Sequence, residues 1–180
     1  MERDTIVKYS KKLSKILRHK PYMIGLKLDE NGWADVDELI SKFGMPPLSM
    51  EILDVVVETN DKKRFAFNDD KTKIRANQGH SVKIDLGLDA VVPPALLFHG
   101  TATKNIESIR NQGLVKGSRH HVHLSMDEST AKKVGSRYGV PVILKVKCQD
   151  MHAAGYEFYK SENDVWLTDH VPVQFLIFPK

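Results

Sequence analysis

An α+β protein in two parts is expected from three features of this chain. Residues 1–81 carry three helical patterns followed by a hairpin pattern, whereas residues 95–180 carry mostly short apolar strands with two short helices. Between the halves, residues 82–94 end in the paired Pro93 and Pro94 and read as a linker. A chain of 180 residues can bury two small cores. Three helices and then a hairpin is the order of a winged helix-turn-helix, so an N-terminal winged-helix lobe is expected, followed by a mixed, β-rich C-terminal lobe.

Residues 5–19 form the first helical pattern. Ile6, Tyr9, Leu13, Ile16 and Leu17 recur at helical spacing as a buried stripe, and Lys8, Lys11, Lys12, Lys15 and Arg18 fill the other side. Lys11, Lys15 and Arg18 share one face and aim their charge one way. A solvated face near a helix C-terminus and a polyanion-binding face both fit that pattern. Pro21 stops the helix, which leaves Arg18 and His19 at its last turn. In GWADVDELISKFG, Asp35 caps a second helix with Glu38 at the capping-box position, Val36, Leu39 and Ile40 face inward, and Gly44 ends it. Ser49 caps a third, SMEILDVVVETN. KRFAF and TKIRA around an Asn-Asp-Asp turn make the hairpin, with Phe65 and Phe67 toward the core and Arg64 pointing away. ANQGHS, Ala76 to Ser81, is a loop, and SVKIDLG after it holds a possible strand.

The second half opens on LLFHGT, Leu96 to Thr101, a strand that delivers His99, Gly100 and Thr101 at its end. That offers a ring to stack, a bare backbone that a ligand can approach, and a hydroxyl. ATKNIESIRNQGL is a helix with Ile106 and Ile109 inward and Gly113 as its stop. RHHVHLS, Arg119 to Ser125, is a second strand, in which His121, His123 and Ser125 share a face. Together the two strands describe one cleft for an anionic, ring-bearing ligand. MDESTAKKVGSRYG is a short helix and VPVILKVKC an apolar strand with Cys148 buried. GYEFY and VWLT make a hairpin around KSEND, and VPVQFLIF is a closing strand.

A net charge of +4 leans toward a polyanionic partner without naming one. No apolar run is long enough for a membrane span, the N-terminus lacks a secretory core, and the single cysteine forms no internal disulfide, so a cytoplasmic protein is expected. GxGxxG, GxxxxGK[ST] and GxSxG are absent, which removes the signatures of Rossmann, P-loop and nucleophile-elbow chemistry. A zinc site at His120, His121, His123 and Cys148 is disfavoured, because only two of these histidines share a strand face and no second cysteine exists. Arg18 beside His19, Arg64 and Arg119 lie in three different elements. Three unrelated surface arginines fit that spacing, as does a set gathered on one phosphate.

At these residues the chain resembles the RNA 2′-phosphotransferases, including the tRNA 2′-phosphotransferase of splicing. The matching motifs are SKILRHKP, GWADVDELI, KRF, IRANQGHS, HGT, RHHVHLS and VWLTDHVP, which occur in the family's order over nearly the whole chain. The resemblance implies an N-terminal winged-helix lobe that helps hold RNA, for which Lys11 and Lys15 on the charged helix face are the candidates, and a C-terminal lobe of the ADP-ribosyltransferase type that holds NAD+. The family's catalytic set falls on Arg18, His19, Arg64 and Arg119, and its NAD+ pocket on His99, Gly100, Thr101, His123 and Ser125. No metal, membrane or obligate protein partner is implied. Many ADP-ribosyltransferases carry a catalytic glutamate on a late strand, and here Val165 stands near that position. The absence makes chemical sense, because a phosphate monoester with a second pKa of about 6 is largely dianionic at neutral pH and attacks without a base.

The implied reaction removes an internal RNA 2′-phosphate, as at a tRNA splice junction. The phosphate first displaces nicotinamide from NAD+. The 2″-hydroxyl of the attached ADP-ribose then attacks the phosphorus, releasing 2′-hydroxyl RNA and ADP-ribose 1″,2″-cyclic phosphate. His19 serves either as a phosphate ligand or as a proton donor to the leaving oxygen. Beside an uncharacterised metal hydrolase, which metal analysis of the purified protein decides, two rival readings remain. One is an ADP-ribosyltransferase that caps terminal phosphates of nucleic acid and stops after one step. The other is a non-enzymatic winged-helix nucleic-acid-binding regulator, against which the third helix counts because it carries no arginine or lysine.

Overall fold

A computed structural model describes residues 2–180, which fold into six α-helices and several small antiparallel sheets. The chain divides into two compact units, one reaching to Gly87 and the other running over Leu88–Lys180.

The first unit begins with α1 (Arg3–Arg18), which buries Tyr9, Leu13, Ile16 and Leu17 and leaves Lys8, Lys11 and Lys15 exposed. A short 3₁₀ turn, Pro21–Ile24, follows its end. Strand β1 (Ala34–Asp35) leads directly into α2 (Val36–Lys42), where Asp35 Oδ1 accepts the Glu38 amide at 2.8 Å. Helix α3 (Met50–Glu58) is capped in the same way by the Ser49 hydroxyl, which accepts the Ile52 amide at 3.3 Å. Both caps satisfy donors that a helix N-terminus otherwise leaves orphaned. Strands β2 (Phe65–Phe67) and β3 (Lys73–Ala76) form the expected hairpin, with Phe65 opposite Ala76 and Phe67 opposite Ile74. Asn68 Oδ1 closes its turn by accepting the Lys73 amide at 2.8 Å. Strand β1 joins on the far side of β3, pairing Ala34 with Ile74, which makes a three-stranded sheet in the order β1-β3-β2. The helices and this sheet share one core, centred on Leu13, Leu17, Leu39, Phe43, Leu53, Phe65 and Ile74.

The second unit begins with β4 (Leu96–Ala102) and α4 (Ile106–Gln112), then β5 (Leu114–Val115) and β6 (Val122–Leu124). It continues through α5 (Glu128–Gly135), β7 (Pro141–Lys147) and α6 (Cys148–Ala153). It ends with β8 (Phe158–Lys160), β9 (Trp166–Thr168), β10 (His170–Val171) and β11 (Leu176–Ile177). Three-stranded sheets in the orders β11-β7-β4 and β6-β9-β8 stand beside a small β10-β5 pair. A bridge between Phe98 and Ser125, with both amides donating at 2.8 Å, ties β4 to the end of β6. Leu97, Leu124, Leu144, Val146, Met151 and Phe158 are among the fully buried centre of this core.

Several expectations are corrected. SVKIDLG forms no strand, and the only strand pairing near it among the described residues is an isolated bridge, Ala90 to Tyr159, further on. RHHVHLS is strand only from Val122; Arg119 to His121 lie in the bend before it. VPVQFLIF is not one closing strand, because a 3₁₀ turn at Val173–Phe175 separates β10 from a two-residue β11. Cys148 is fully buried as expected, but it starts α6 rather than ending the strand. Among the described residues no helix is long and apolar enough to cross a membrane.

The glycines of β4 and α5 explain a close approach. A Cβ on Gly100 would run into the Ala131 carbonyl and stand 2.9 Å from the Gly135 amide nitrogen, and one on Gly135 would meet the Thr101 carbonyl at 2.6 Å. The side chain missing at Gly100 therefore admits helix backbone, not the open space that a ligand would use. Gly100→Ala should cost about 1–3 kcal/mol or more in chemical denaturation, as overpacking does; an unchanged midpoint would contradict the contact. Asp35→Ala should cost about 1 kcal/mol with an unchanged denaturant slope, whereas no loss would mean that the cap contributes nothing.

Candidate active site

The residues of interest in the first unit gather where α1 ends. Lys11 and Lys15 are exposed on α1, while Arg18, on the same face, is half-buried with its Nε and Nη2 atoms shielded from solvent. The chain leaves helical geometry at His19, and the Lys15 carbonyl accepts both the His19 amide at 3.2 Å and the Lys20 amide at 2.9 Å. The Arg18 carbonyl, which a continuing helix would have paired, accepts the Ser81 amide at 2.8 Å instead. The Ser81 hydroxyl lies 2.9 Å from His19 Nδ1.

Arg64 precedes β2 and is half-buried. Its backbone amide donates to Asn60 Oδ1 at 3.3 Å, and its Nη1 donates to the same oxygen at 3.4 Å. Asn60 Nδ2 in turn donates to Ser10 Oγ on α1 at 3.0 Å. Lys63, just before Arg64, has a left-handed backbone with φ of 40°, an unusual conformation for a residue with a side chain. Asn77 holds that conformation from behind: its Nδ2 donates to the Lys63 carbonyl at 2.6 Å, and its backbone amide to the Arg64 carbonyl at 2.9 Å. The loop from Asn77 to Ser81 thus touches the Arg64 segment at one end and the Arg18-His19 segment at the other. Sequence reasoning saw that loop without seeing its role; its short amide and hydroxyl side chains, Asn77 and Ser81, were the available signal. Within it His80 is buried, and Gly32, with φ of 82°, leaves room for its ring: a Cβ there would stand 3.3 Å from His80 Nε2.

In the second unit the β4–β6 bridge brings His99, His123 and Ser125 together. His99 Nδ1 lies 3.0 Å from the His123 carbonyl, and all three residues are half-buried. Burial pushes the His99 pKa below its ordinary value, with the His123 carbonyl acting in the opposite sense. The ring is therefore held neutral, with Nδ1 as the donor that a carbonyl requires. Thr101 is buried and its hydroxyl accepts from Asn105 Nδ2 at 3.2 Å, so it is engaged inside the unit. His121 lies outside the strand face shared by His123 and Ser125. Its ring tilts over Tyr159 at 5.4 Å, and Nε2 is 3.9 Å from the Asp169 carboxylate. Arg119 is exposed in the bend, with its amide donating to the Lys116 carbonyl at 3.1 Å. The Cys148 thiol is pushed up to about 12 by burial, which removes it as a nucleophile near neutral pH. Among the described residues no group of three or more His, Cys, Asp or Glu side chains is placed to hold a metal ion.

The chemistry available is thus an imidazole with two guanidinium-bearing segments in the first unit, and a neutral ring, a hydroxyl and an exposed guanidinium in the second. The first suits an anionic group, and the neutral His99 ring suits stacking or hydrogen bonding with an uncharged ring. The depressed His99 pKa also carries a stability consequence. As pH falls below the ordinary value of 6.5, the unfolded chain takes up a proton that folded His99 refuses, so the fold loses stability through that window. In melts from about pH 7 to about pH 5, His99→Gln should lose less stability than the wild type. Parallel losses in the two proteins would contradict the neutral buried ring.

The model of the RNA 2′-phosphotransferase, Tpt1/KptA family, matches residues 4–170. The chain is 59% identical over 171 residues to a probable RNA 2′-phosphotransferase of Flavobacterium johnsoniae, with 94% of each chain covered. It is 55% identical over 180 residues to one of Pseudomonas fluorescens, with 98% of each covered. A third, from Fusobacterium nucleatum, is 53% identical over 178 residues, covering 97% of this chain and 99% of its own. On a match of this length and identity, the chain belongs to the RNA 2′-phosphotransferase, Tpt1/KptA family, whose members are transferases that use NAD+ as co-substrate.

Proposed function

We propose that this protein removes an internal 2′-phosphate from RNA, as at a tRNA splice junction, by transferring it to ADP-ribose drawn from NAD+. The first unit acts as a winged-helix lobe that holds RNA, with Lys11 and Lys15 on its backbone, and the second as an ADP-ribosyltransferase-type lobe that holds NAD+. His99, Gly100 through its backbone, Thr101, His123 and Ser125 are the cofactor-binding set. Its place of work is the cytoplasm.

In the first step a 2′-phosphate oxygen bonds to ribose C1″ and the C1″–nitrogen bond breaks, nicotinamide leaving with the electron pair. In the second the 2″-hydroxyl oxygen bonds to phosphorus and loses its proton, while the bond from phosphorus to the RNA 2′-oxygen breaks and that oxygen takes up a proton. The second step gathers charge on the phosphoryl oxygens, and preorganised cations lower its barrier. Arg18, Arg64 and Arg119 supply those cations, and His19 either binds the phosphate or delivers the proton. The observation that carries this reading is the chain-long family match, with Arg18, His19, Arg64 and Arg119 standing in the motifs that resemble the family's catalytic set.

Incubation with NAD+ and an RNA bearing one internal 2′-phosphate should yield nicotinamide, dephosphorylated RNA and ADP-ribose 1″,2″-cyclic phosphate. A stable ADP-ribose adduct from the wild-type enzyme would favour a capping transferase, and salt-sensitive binding without NAD+ turnover a regulator. His19→Ala or Arg64→Ala should slow the second step by roughly a hundredfold, so that ADP-ribosylated RNA accumulates. Variants stalled before nicotinamide release would contradict this division of labour.

A further inference from the structure

IRANQGHS is one of three matched motifs to which the proposed chemistry assigns no part. Its last residue, Ser81, meets the end of α1 twice: its amide donates to the Arg18 carbonyl at 2.8 Å, and its hydroxyl lies 2.9 Å from His19 Nδ1. A histidine has two ring nitrogens, and a partner on one decides which proton and which lone pair the other presents. With Nδ1 engaged by Ser81, the proposed role of His19 falls to Nε2. Either role open to His19, phosphate ligand or proton donor, needs an N–H on Nε2. A hydroxyl at Nδ1 suits both: it donates to Nδ1 of the neutral ring that carries its proton on Nε2, and accepts from the doubly protonated ring.

The hydroxyl is held on a short frame. Four residues upstream, Asn77 is 5% exposed and is tied by its amide and side chain to the carbonyls of Arg64 and Lys63 at 2.9 and 2.6 Å. The loop is therefore pinned at both ends to segments that carry proposed catalytic side chains, which fixes where the Ser81 Oγ stands.

We infer that Ser81 is a positioning residue that orients the His19 ring, presenting Nε2 to the 2′-phosphate and its leaving oxygen. This rests on the proposed role of His19 in the second step. Ser81 is exposed and packs no core, so replacing it removes a hydroxyl without opening a cavity.

The test follows both steps by single turnover in wild type, Ser81→Ala, Ser81→Thr and His19→Ala, with NAD+ and a 2′-phosphorylated RNA. Ser81→Ala should slow conversion of the ADP-ribosylated RNA to cyclic product by about tenfold, the low end of what losing an orienting partner costs a metal-bound histidine. Nicotinamide release, the KM for NAD+ and the melting temperature should hold at wild-type values. Ser81→Thr, which keeps a hydroxyl, should restore the second step. The inference is overturned if Ser81→Ala resolves the intermediate at the wild-type rate, if it slows both steps equally, or if the threonine is as slow as the alanine. Should His19→Ala itself resolve the intermediate normally, the proposed function fails rather than this inference alone; an intermediate that accumulates in His19→Ala but not in Ser81→Ala sinks only the inference.

Discussion

The hydrogen bond from the Ser81 amide to the Arg18 carbonyl is the constraint on which the first unit's candidate chemistry depends. A helix end leaves carbonyls without partners, and those groups must be satisfied by solvent, side chains or another piece of chain. Here a loop does it, and that loop arrives with the hydroxyl that meets His19. The direction in which Arg18 and His19 emerge is set further back. Leu13, Ile16 and Leu17 are wholly buried, so α1 cannot rotate about its axis without exposing them. Burial of the stripe fixes the face that carries Lys11, Lys15 and Arg18; the loop fixes the end.

The second unit solves a different problem with the same economy. Burial holds His99 below its ordinary pKa, and its Nδ1 is anchored on the His123 carbonyl at 3.0 Å. Behind that face, β4 and α5 approach until only glycine fits at Gly100 and Gly135. The strand is thereby backed by helix on one side while His99 stays on the other, because side chains alternate along it. The side chain missing at Gly100 makes room for α5 on that side of the strand.

What the sequence disclosed tracks how local the physics is. The stripe of Leu13, Ile16 and Leu17, the caps at Asp35 and Ser49 and the hairpin around Asn68 all depend on neighbours within a few residues, and all are found. The failures sit where partners are distant. Strand β1 is two residues long and exists because Ala34 pairs with Ile74. The closing strand breaks at Val173–Phe175 despite its apolar run. The packing reason for Gly100 lies in Ala131 and Gly135, on a helix whose placement no periodicity reveals. His19 and Ser81 are 62 positions apart. The family motifs drew attention to the right segments, whereas the bonds among them required coordinates.

The proposed function requires Arg18, Arg64 and Arg119 to recognise a phosphate on the RNA 2′-oxygen. Equilibrium binding of paired RNAs, identical except for a 2′-phosphate or a 2′-hydroxyl at one nucleotide, measures that recognition without turnover. The wild type should prefer the phosphorylated RNA, and Arg18→Ala, Arg64→Ala and Arg119→Ala should each erase much of the preference while leaving the affinity for hydroxyl RNA nearly unchanged. A preference that survives intact in all three variants would contradict the account.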